Sequence, residues 1–264
     1  MSSRLEKKSI VIVGGTTGLG FSAAKSFIRE GAQVVVVGRT SESAKAAEAA
    51  LGENCVAFVG DAADPATAGA AIDLAAERFG GFHGLYHVAG GSGRKFGDGP
   101  LHEITDDGWQ ATLDLNLTSL FNSNRAAVRR FLREATGGTI LNMGSVLGWS
   151  PSSAFFSTHA YATTKAAIIG LTKSAASYYA PQNIRMNVIA PALVATPMSQ
   201  RAQETSEIIE FIETKQPLDG GRIGLPEDLD SAAVFFMSNE SKFVTGQVLA
   251  VDGGWSVSEG QVGG

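Results

Sequence analysis

Tyr161-Ala162-Thr163-Thr164-Lys165 sets a phenol and an ammonium four residues apart. On a helix that spacing puts both on one face. A nearby ammonium favours phenolate over phenol, so the pair predicts a Tyr161 pKa lowered from its usual value of about 10. Such a phenol can hand a proton to a carbonyl oxygen as hydride reaches the carbon, or take one from an alcohol. Ser145 follows the apolar run Thr139–Met143, where its hydroxyl could bond the same oxygen. On its own, however, a Tyr-x-x-x-Lys is also what an ordinary exposed helix pair looks like.

A second group of residues binds rather than reacts. Gly14-Gly15-Thr16-Thr17-Gly18-Leu19-Gly20 follows one apolar run and opens a helical pattern. Gly14 permits a tight turn, Gly18 lets the main chain approach a pyrophosphate, and Gly20 allows a helix to pack closely on a sheet. The helix N-terminus adds free N–H groups and a partial positive charge. The spacing is G-x-x-x-G-x-G. Glycine-rich turns also serve structural roles or bind S-adenosylmethionine, and the strand-before, helix-after position is what favours a nucleotide here.

The elements that must position these groups alternate along the chain. Short apolar runs at Ile10–Val13, Val34–Val37, Val56–Val59, Leu85–Val88, Thr139–Met143, Ile184–Ile189 and Gln247–Val251 read as buried strands. Helical patterns lie between most of them: Leu19–Ile28 closed by Gly31, Ser41–Leu51, Pro65–Phe79, a long one at Trp109–Phe131, Ala160–Tyr179 and Glu227–Ser238. The result is an α/β chain with a Rossmann-like doubly wound parallel sheet of about seven strands. No repeat or linker divides it, so residues 1–264 read as a single domain. Between Pro197 and Pro226 the rhythm breaks: two charged helical turns (Glu204–Lys215) and a Gly220-Gly221 hinge suggest a substrate-binding lid around 197–225.

Composition excludes several classes. The formal net charge is −5 and no Lys/Arg run supplies the basic face that a nucleic-acid binder needs. No stretch approaches the roughly 20 apolar residues of a membrane span. Met1–Ser9 lacks the apolar segment of a signal peptide, and the lone Cys55 allows no intrachain disulfide, so the expected location is cytoplasmic. Cys55 itself reads as a buried structural thiol. His83, His87, His102 and His159 show no metal-ligand spacing, so no metal is expected.

Gly14-x-x-x-Gly18-x-Gly20, Asn116, Ser145 and Tyr161-x-x-x-Lys165, in that order, resemble the short-chain dehydrogenase/reductase family. Further matches are Asp61, Val88-Ala89-Gly90, Pro191-Ala192-Leu193-Val194-Ala195-Thr196, Phe243–Gln247 and Asp252-Gly253-Gly254, so the resemblance runs from Ser9 to about Val257. It implies an NAD(P)(H)-dependent oxidoreductase acting on a small carbonyl or secondary-alcohol substrate, with Tyr161 as general acid/base. Ser145 would orient the substrate oxygen, Lys165 would hold the nicotinamide ribose, and Asn116 would place a water in a relay from Lys165. Asp61 would face the adenine and Thr196 the carboxamide. Cofactor contacts are further implied at Thr16, Thr17, Leu19, Ala62, Ala89, Gly90, Pro191 and Val194.

Three departures matter. The family's Asn-Asn-Ala-Gly stands here as His87-Val88-Ala89-Gly90, which predicts altered packing rather than lost binding. Its Pro-Gly is Pro191-Ala192, tolerable if Ala192 keeps a negative φ. Ser145 precedes Tyr161 by sixteen residues, a few more than usual in the family, and the extra Trp149–Ser157 loop is expected to bulge from the mouth of the site. Aromatics in these loops (Phe96, Trp149, Phe155, Phe156) suggest an apolar substrate surface, although packing also explains them. Arg94-Lys95 could contact an acidic substrate group, or be simple solvated charges.

NADP(H) is expected to be favoured, with NAD(H) the alternative. Val34–Val37 is followed by Gly38 where an NAD-selecting carboxylate would stand, and then by Arg39, which can fork onto a 2′-phosphate. Helices apolar over more than one stripe suggest a homo-oligomer, a tetramer by family resemblance. Competing readings are a methyltransferase on the same sheet type and a catalytically silent dinucleotide-binding sensor or scaffold. Tyr161 with Lys165 argues against the first, and an intact Ser145, Tyr161 and Lys165 against the second.

Overall fold

A computed structural model describes residues 3–261. The strands form where the sequence has β-branched runs: β1 Ser9–Val13, β2 Gln33–Gly38, β3 Cys55–Val59, β4 Gly84–His87, β5 Gly138–Met143, β6 Ile184–Pro191 and β7 Val248–Val251. All pair in parallel, in the order β3-β2-β1-β4-β5-β6-β7. β1, β2 and β4 are buried along almost their whole length, as a sheet covered on both faces requires.

The helices are α1 Gly18–Arg29, α2 Ser41–Leu51, α3 Thr67–Phe79, α4 Asp106–Leu113, α5 Ser119–Glu134, α6 His159–Tyr179, α7 Gln200–Gln203, α8 Ser206–Lys215 and α9 Asp230–Met237. One face of the sheet packs Phe27, Ala47, Leu229, Val234 and Phe236 from α1, α2 and α9 with the residue just before it. The other packs Ile72, Ala75, Ala127, Phe131 and Ala176 from α3, α5 and α6. Cys55 is buried, and burial pushes its thiol up to about 12, in keeping with an inert core residue.

Three expectations change. The helix expected over Trp109–Phe131 is longer, starting at Asp106, and is interrupted by a π-helical turn at Asp114–Thr118. The stretch expected as one helix at Glu227–Ser238 starts as a 3-10 turn, Pro226–Leu229, ahead of α9. The Trp149–Ser157 loop does not bulge outward as a whole. Phe155 packs at a tilt on Phe211 of α8, ring centroids 5.3 Å apart, and Phe156 meets Trp255 edge-on at 5.6 Å. Two rings carry enough apolar area to draw the loop inward, leaving Trp149 and Phe96 exposed.

Candidate active site

The sheet order reverses direction of growth between β1 and β4, and in sheets of this kind the ligand crevice lies there, beyond the carboxyl ends of the strands. The glycine turn lines it. Gly14 has φ +85°, and a Cβ there would lie 2.6 Å from the Ala89 amide nitrogen, so only glycine lets the turns after β1 and β4 meet. Gly18 opens α1 and sits against Thr196, whose Cγ2 would lie 3.5 Å from an added Cβ. Thr17 is the N-cap of α1 but makes no side-chain cap bond, so the first-turn amides are not taken up by the protein's own cap. Leu19 packs towards the core.

At the end of β2, Arg39 is exposed, and Thr40 caps α2 by accepting the Ser43 amide at 3.2 Å. A Cβ on Gly38 would come within 2.5 Å of Thr16 Cγ2, so Thr16 fills the space a side chain at 38 would use. Beyond β3, the exposed Asp61 accepts the Ala63 amide at 2.9 Å, and Ala62 packs on the second core. The two charged residues thus stand at neighbouring strand ends, Gly60 bonding Gly38 between them.

The middle of the crevice holds the reactive groups. Asn116 is fully buried in the π turn, a device that in helices often marks a functional position. Its amide group clasps Gly91 both ways at 3.0 Å, accepting from the nitrogen and donating to the carbonyl. A Cβ on Gly90 would lie 2.7 Å from Asn116 Oδ1 and 3.7 Å from Lys165 Nζ, so these three residues converge. Lys165 is buried and donates to the Met143 carbonyl at 3.0 Å. Burial lowers its pKa to about 8.

Tyr161 is partly exposed to the crevice. Its phenol is pushed up to about 12 by burial, with a hydrogen bond from Ser145 pulling the other way. The lowering expected from Tyr-x-x-x-Lys spacing is therefore not what the fold delivers. The Lys165 ammonium lies 5.3 Å from the ring centroid and spends itself on Met143, while desolvation acts on the phenol directly. Ser145, buried at the end of β5, does reach Tyr161 in spite of the longer spacing, and its hydroxyl also approaches the Pro191 carbonyl at 3.5 Å. Ala192 keeps a negative φ, as the missing glycine demanded. Val194 bridges to Gly224 in parallel, and Thr196 starts the turn into α7.

Asp98 was not visible in the sequence, and His87, a departure from the family pattern there, shows how the packing is altered. Asp98, buried, accepts the amides of Ala160 and Tyr161 at 3.0 and 2.9 Å, capping α6 from another loop. No Asp-to-helix spacing announces it, because its partners lie over sixty residues away. His87, buried at the end of β4, accepts from the Ser123 hydroxyl at 2.7 Å and donates to the Ala89 carbonyl at 3.0 Å. That tautomer keeps it neutral, and burial lowers its pKa to about 3.

Among the described residues no group of His, Cys, Asp and Glu could hold a metal, and no helix is long and apolar enough to cross a membrane. The family model described as enoyl-(acyl carrier protein) reductase matches residues 13–256. A 2,5-dichloro-2,5-cyclohexadiene-1,4-diol dehydrogenase of Sphingobium indicum is 34% identical over 260 residues, covering 97% of this chain and 99% of its own. A 3-alpha-(or 20-beta)-hydroxysteroid dehydrogenase of Mycobacterium tuberculosis is 36% identical, covering 96% and 91%. A short-chain type dehydrogenase/reductase from Mycobacterium ulcerans superposes with a TM-score of 0.88 at 28% identity, over 97% of this chain and 92% of that one. A 3-ketoacyl-(acyl-carrier-protein) reductase from Brucella melitensis, solved with NADH, does so with 0.84 at 26% identity, over 96% and 100%. With this sheet order and these relatives along nearly its whole length, the chain belongs to the short-chain dehydrogenase/reductase family and is an oxidoreductase that uses a nicotinamide dinucleotide.

Proposed function

We propose that Tyr161 exchanges the proton with the oxygen of a small carbonyl or secondary-alcohol substrate, that Ser145 holds that oxygen, and that NADP(H) is preferred over NAD(H). The observation that carries the first part is the meeting of Ser145, Tyr161 and Lys165 beside Gly90. Nicotinamide, when bound, supplies or accepts the hydride. The chain's residues fit such a group: Gly14 and Gly18 form a turn that a Cβ would fill, next to uncapped amides of α1. Gly14, Thr16, Thr17, Gly18, Leu19 and Gly20 would hold the phosphates. Asp61, Ala62, Ala89 and Gly90 would border the adenosine half, and Pro191, Val194 and Thr196 the nicotinamide half.

At neutral pH a phenol with a raised pKa carries its proton, so Tyr161 is ready to donate to an oxygen gaining negative charge. Lys165, charged below about pH 8, attracts that negative charge and would hold the ribose of a bound dinucleotide. Asn116, locked to Gly91, fixes the π turn from which a relay water would be held.

The cofactor preference rests on Gly38 and Arg39. Thr16 occupies the place of a carboxylate at 38, and the exposed guanidinium is free to fork onto a 2′-phosphate. A charge-assisted contact of about 1.5–3 kcal/mol corresponds to roughly one to two orders of magnitude in affinity. The 197–225 segment is proposed as the lid: Leu193–Ala195 bond to Gly224, so it leaves and rejoins the body at one point. A homotetramer is proposed because Trp109, Phe121 and Leu132 remain exposed along α4 and α5. A cytoplasmic location suits a lone buried thiol and the intracellular nicotinamide pool.

Cofactor absorbance with a panel of ketones and alcohols tests the reading. Wild type should turn over with NADPH 10- to 100-fold better in kcat/KM than with NADH, and Tyr161→Phe should lose turnover while still binding cofactor. Preference for NADH, or substantial turnover by Tyr161→Phe, would overturn the respective part.

A further inference from the structure

Arg94 and Arg201 come from distant parts of the chain and end on one atom. Arg94, in the turn Gly93–Phe96 after β4, donates to the Phe155 carbonyl at 3.2 Å. Arg201, on α7, donates to the same carbonyl at 3.3 Å. Phe155 is held there by its ring on Phe211. Some arginines of this chain find carboxylates: Arg130 pairs with Asp73 and Glu134, Arg222 with Asp219 and Asp228, and Arg4 with Glu240. Among the described residues neither Arg94 nor Arg201 is in such a pair. Both side chains are exposed, and the Phe155 carbonyl is the acceptor they share within the protein.

The arrangement is unfavourable as it stands. Burial first, and then the positive charge of Arg201, pull the Arg94 pKa below its usual range, with Asp98 pulling back. Asp98, however, is committed to the amides of Ala160 and Tyr161. A fold that brings two guanidiniums together without a counter-charge has made a place for an anion.

Its position relates it to the chemistry. Met198, just before α7, faces Gly91, where an added Cβ would lie 3.9 Å from its sulfur. The turn bearing Arg94 runs on to Asp98, which bonds the backbone of Tyr161 itself. The pair therefore stands on the Tyr161 side of the site, away from Arg39 at the end of β2.

We propose that the substrate carries an anionic group at a distance from its reacting carbonyl, a carboxylate or a phosphate-like group, and that Arg94 and Arg201 bind it in place of the Phe155 carbonyl. This rests on the reductase reading of the same crevice and names its substrate class. Two fixed charges would select anionic ketones over their neutral esters by at least tenfold, which is about 1.4 kcal/mol.

Binding is measured by calorimetry on full-length protein saturated with NADP⁺, so that turnover is not needed. The probes are 2-oxopropylphosphonate against its dimethyl ester, and acetoacetate and levulinate against their methyl esters. Wild type should bind at least one anion ten times more tightly than its ester, and the responding anion separates phosphate-like from carboxylate substrates. Arg94→Gln/Arg201→Gln should bring that ratio close to one, and Arg94→Lys/Arg201→Lys should restore part of it. No saturable binding of any anionic ketone, equal binding of esters, or a ratio unchanged in the double Gln variant would overturn the proposal. So would a loss of NADP⁺ affinity in that variant, which would assign the guanidiniums to the dinucleotide. Failure of the reductase reading looks different: anion selectivity in binding, with no NADPH- or NADH-linked turnover of any acid or ester.

Discussion

Removing the Asp98 carboxylate should cripple catalysis without touching a group that meets substrate. Thr158, at the start of α6, makes no side-chain cap bond; the Gly99 carbonyl takes the His159 amide, and Asp98 takes those of Ala160 and Tyr161. Asp98→Ala leaves the amides of Ala160 and Tyr161 without their acceptor in a mostly buried setting. Each charge-assisted bond is worth about 1.5–3 kcal/mol, and water recovers part of that. Loss of a cap alone typically costs about 1 kcal/mol, and a carboxylate at a partly buried helix N-terminus adds up to about 2. A total of about 3 kcal/mol is expected, which lowers Tm by roughly 6–12 °C in a domain of this size.

The kinetic effect follows from place rather than stability. Tyr161 is the third residue of α6, so fraying of the first turn displaces the phenol itself. A displacement of about 1 Å can cost up to roughly 100-fold, and kcat at 25 °C, well below the melt, should fall 10- to 100-fold. NADPH affinity should hold, because the glycine turn is untouched. Asp98→Asn keeps one acceptor oxygen and should recover part of both losses. The assay is steady-state kcat beside a melting curve and a cofactor titration. An Asp98→Ala protein with wild-type kcat and a Tm within 1 °C of wild type would refute the reasoning.

Lys165 gives up its proton at about 8 in the fold and at 10.5 when unfolded, so the unfolded state holds more protons across that window and stability rises with pH. Relative to Lys165→Met, the cofactor-free wild type should gain about 1 kcal/mol between pH 7 and 9 in denaturant titrations, and a flat difference would count against a buried ammonium. His87 titrates at about 3 in the fold and 6.5 unfolded, so its contribution is lost as pH falls below 6.5. His87→Asn should remove about 2–3 kcal/mol of acid sensitivity by pH 4.5, read as a shallower acid limb of the stability profile. Phe156→Ala removes the edge contact with Trp255 and should cost about 2–3 kcal/mol. Its thermal melt should drop accordingly, whereas an unchanged melt would mean the loop is not anchored there.

Most of the sheet and the glycine turn could be read directly because each is set by neighbours within a few residues. β-Branched runs bounded by glycine make strands wherever both faces are covered, and a tight turn at Gly14 needs glycine locally, whatever the rest of the chain does. The site's finer physics is set by partners far away in sequence. Asp98 could not be found from its own surroundings, since nothing near Asp98 shows that α6 will begin against it. The packing of the Trp149–Ser157 loop escapes its own sequence for the same reason. Its serines and proline describe a surface turn, while the outcome depends on Trp255, about a hundred residues on. The π turn at Asn116 is defined by its hydrogen bonds, which no residue type announces.

Tyr161 and Lys165 mark where the boundary falls. Four-residue spacing does bring the ammonium to the phenol ring, and that much is helix geometry. Whether the neighbour lowers the phenol's pKa depends on a contest between charge and desolvation, and desolvation is a property of the packed crevice. Here it wins for both groups, raising the acid and lowering the base. A proton therefore sits on Tyr161 at neutral pH while Lys165 lies near its own midpoint, so a modest rearrangement at the site would move either one. The pattern in the sequence identifies the pair, and the burial that tunes it comes from β5, the Ser145 turn and the π turn around Asn116, which close over it together.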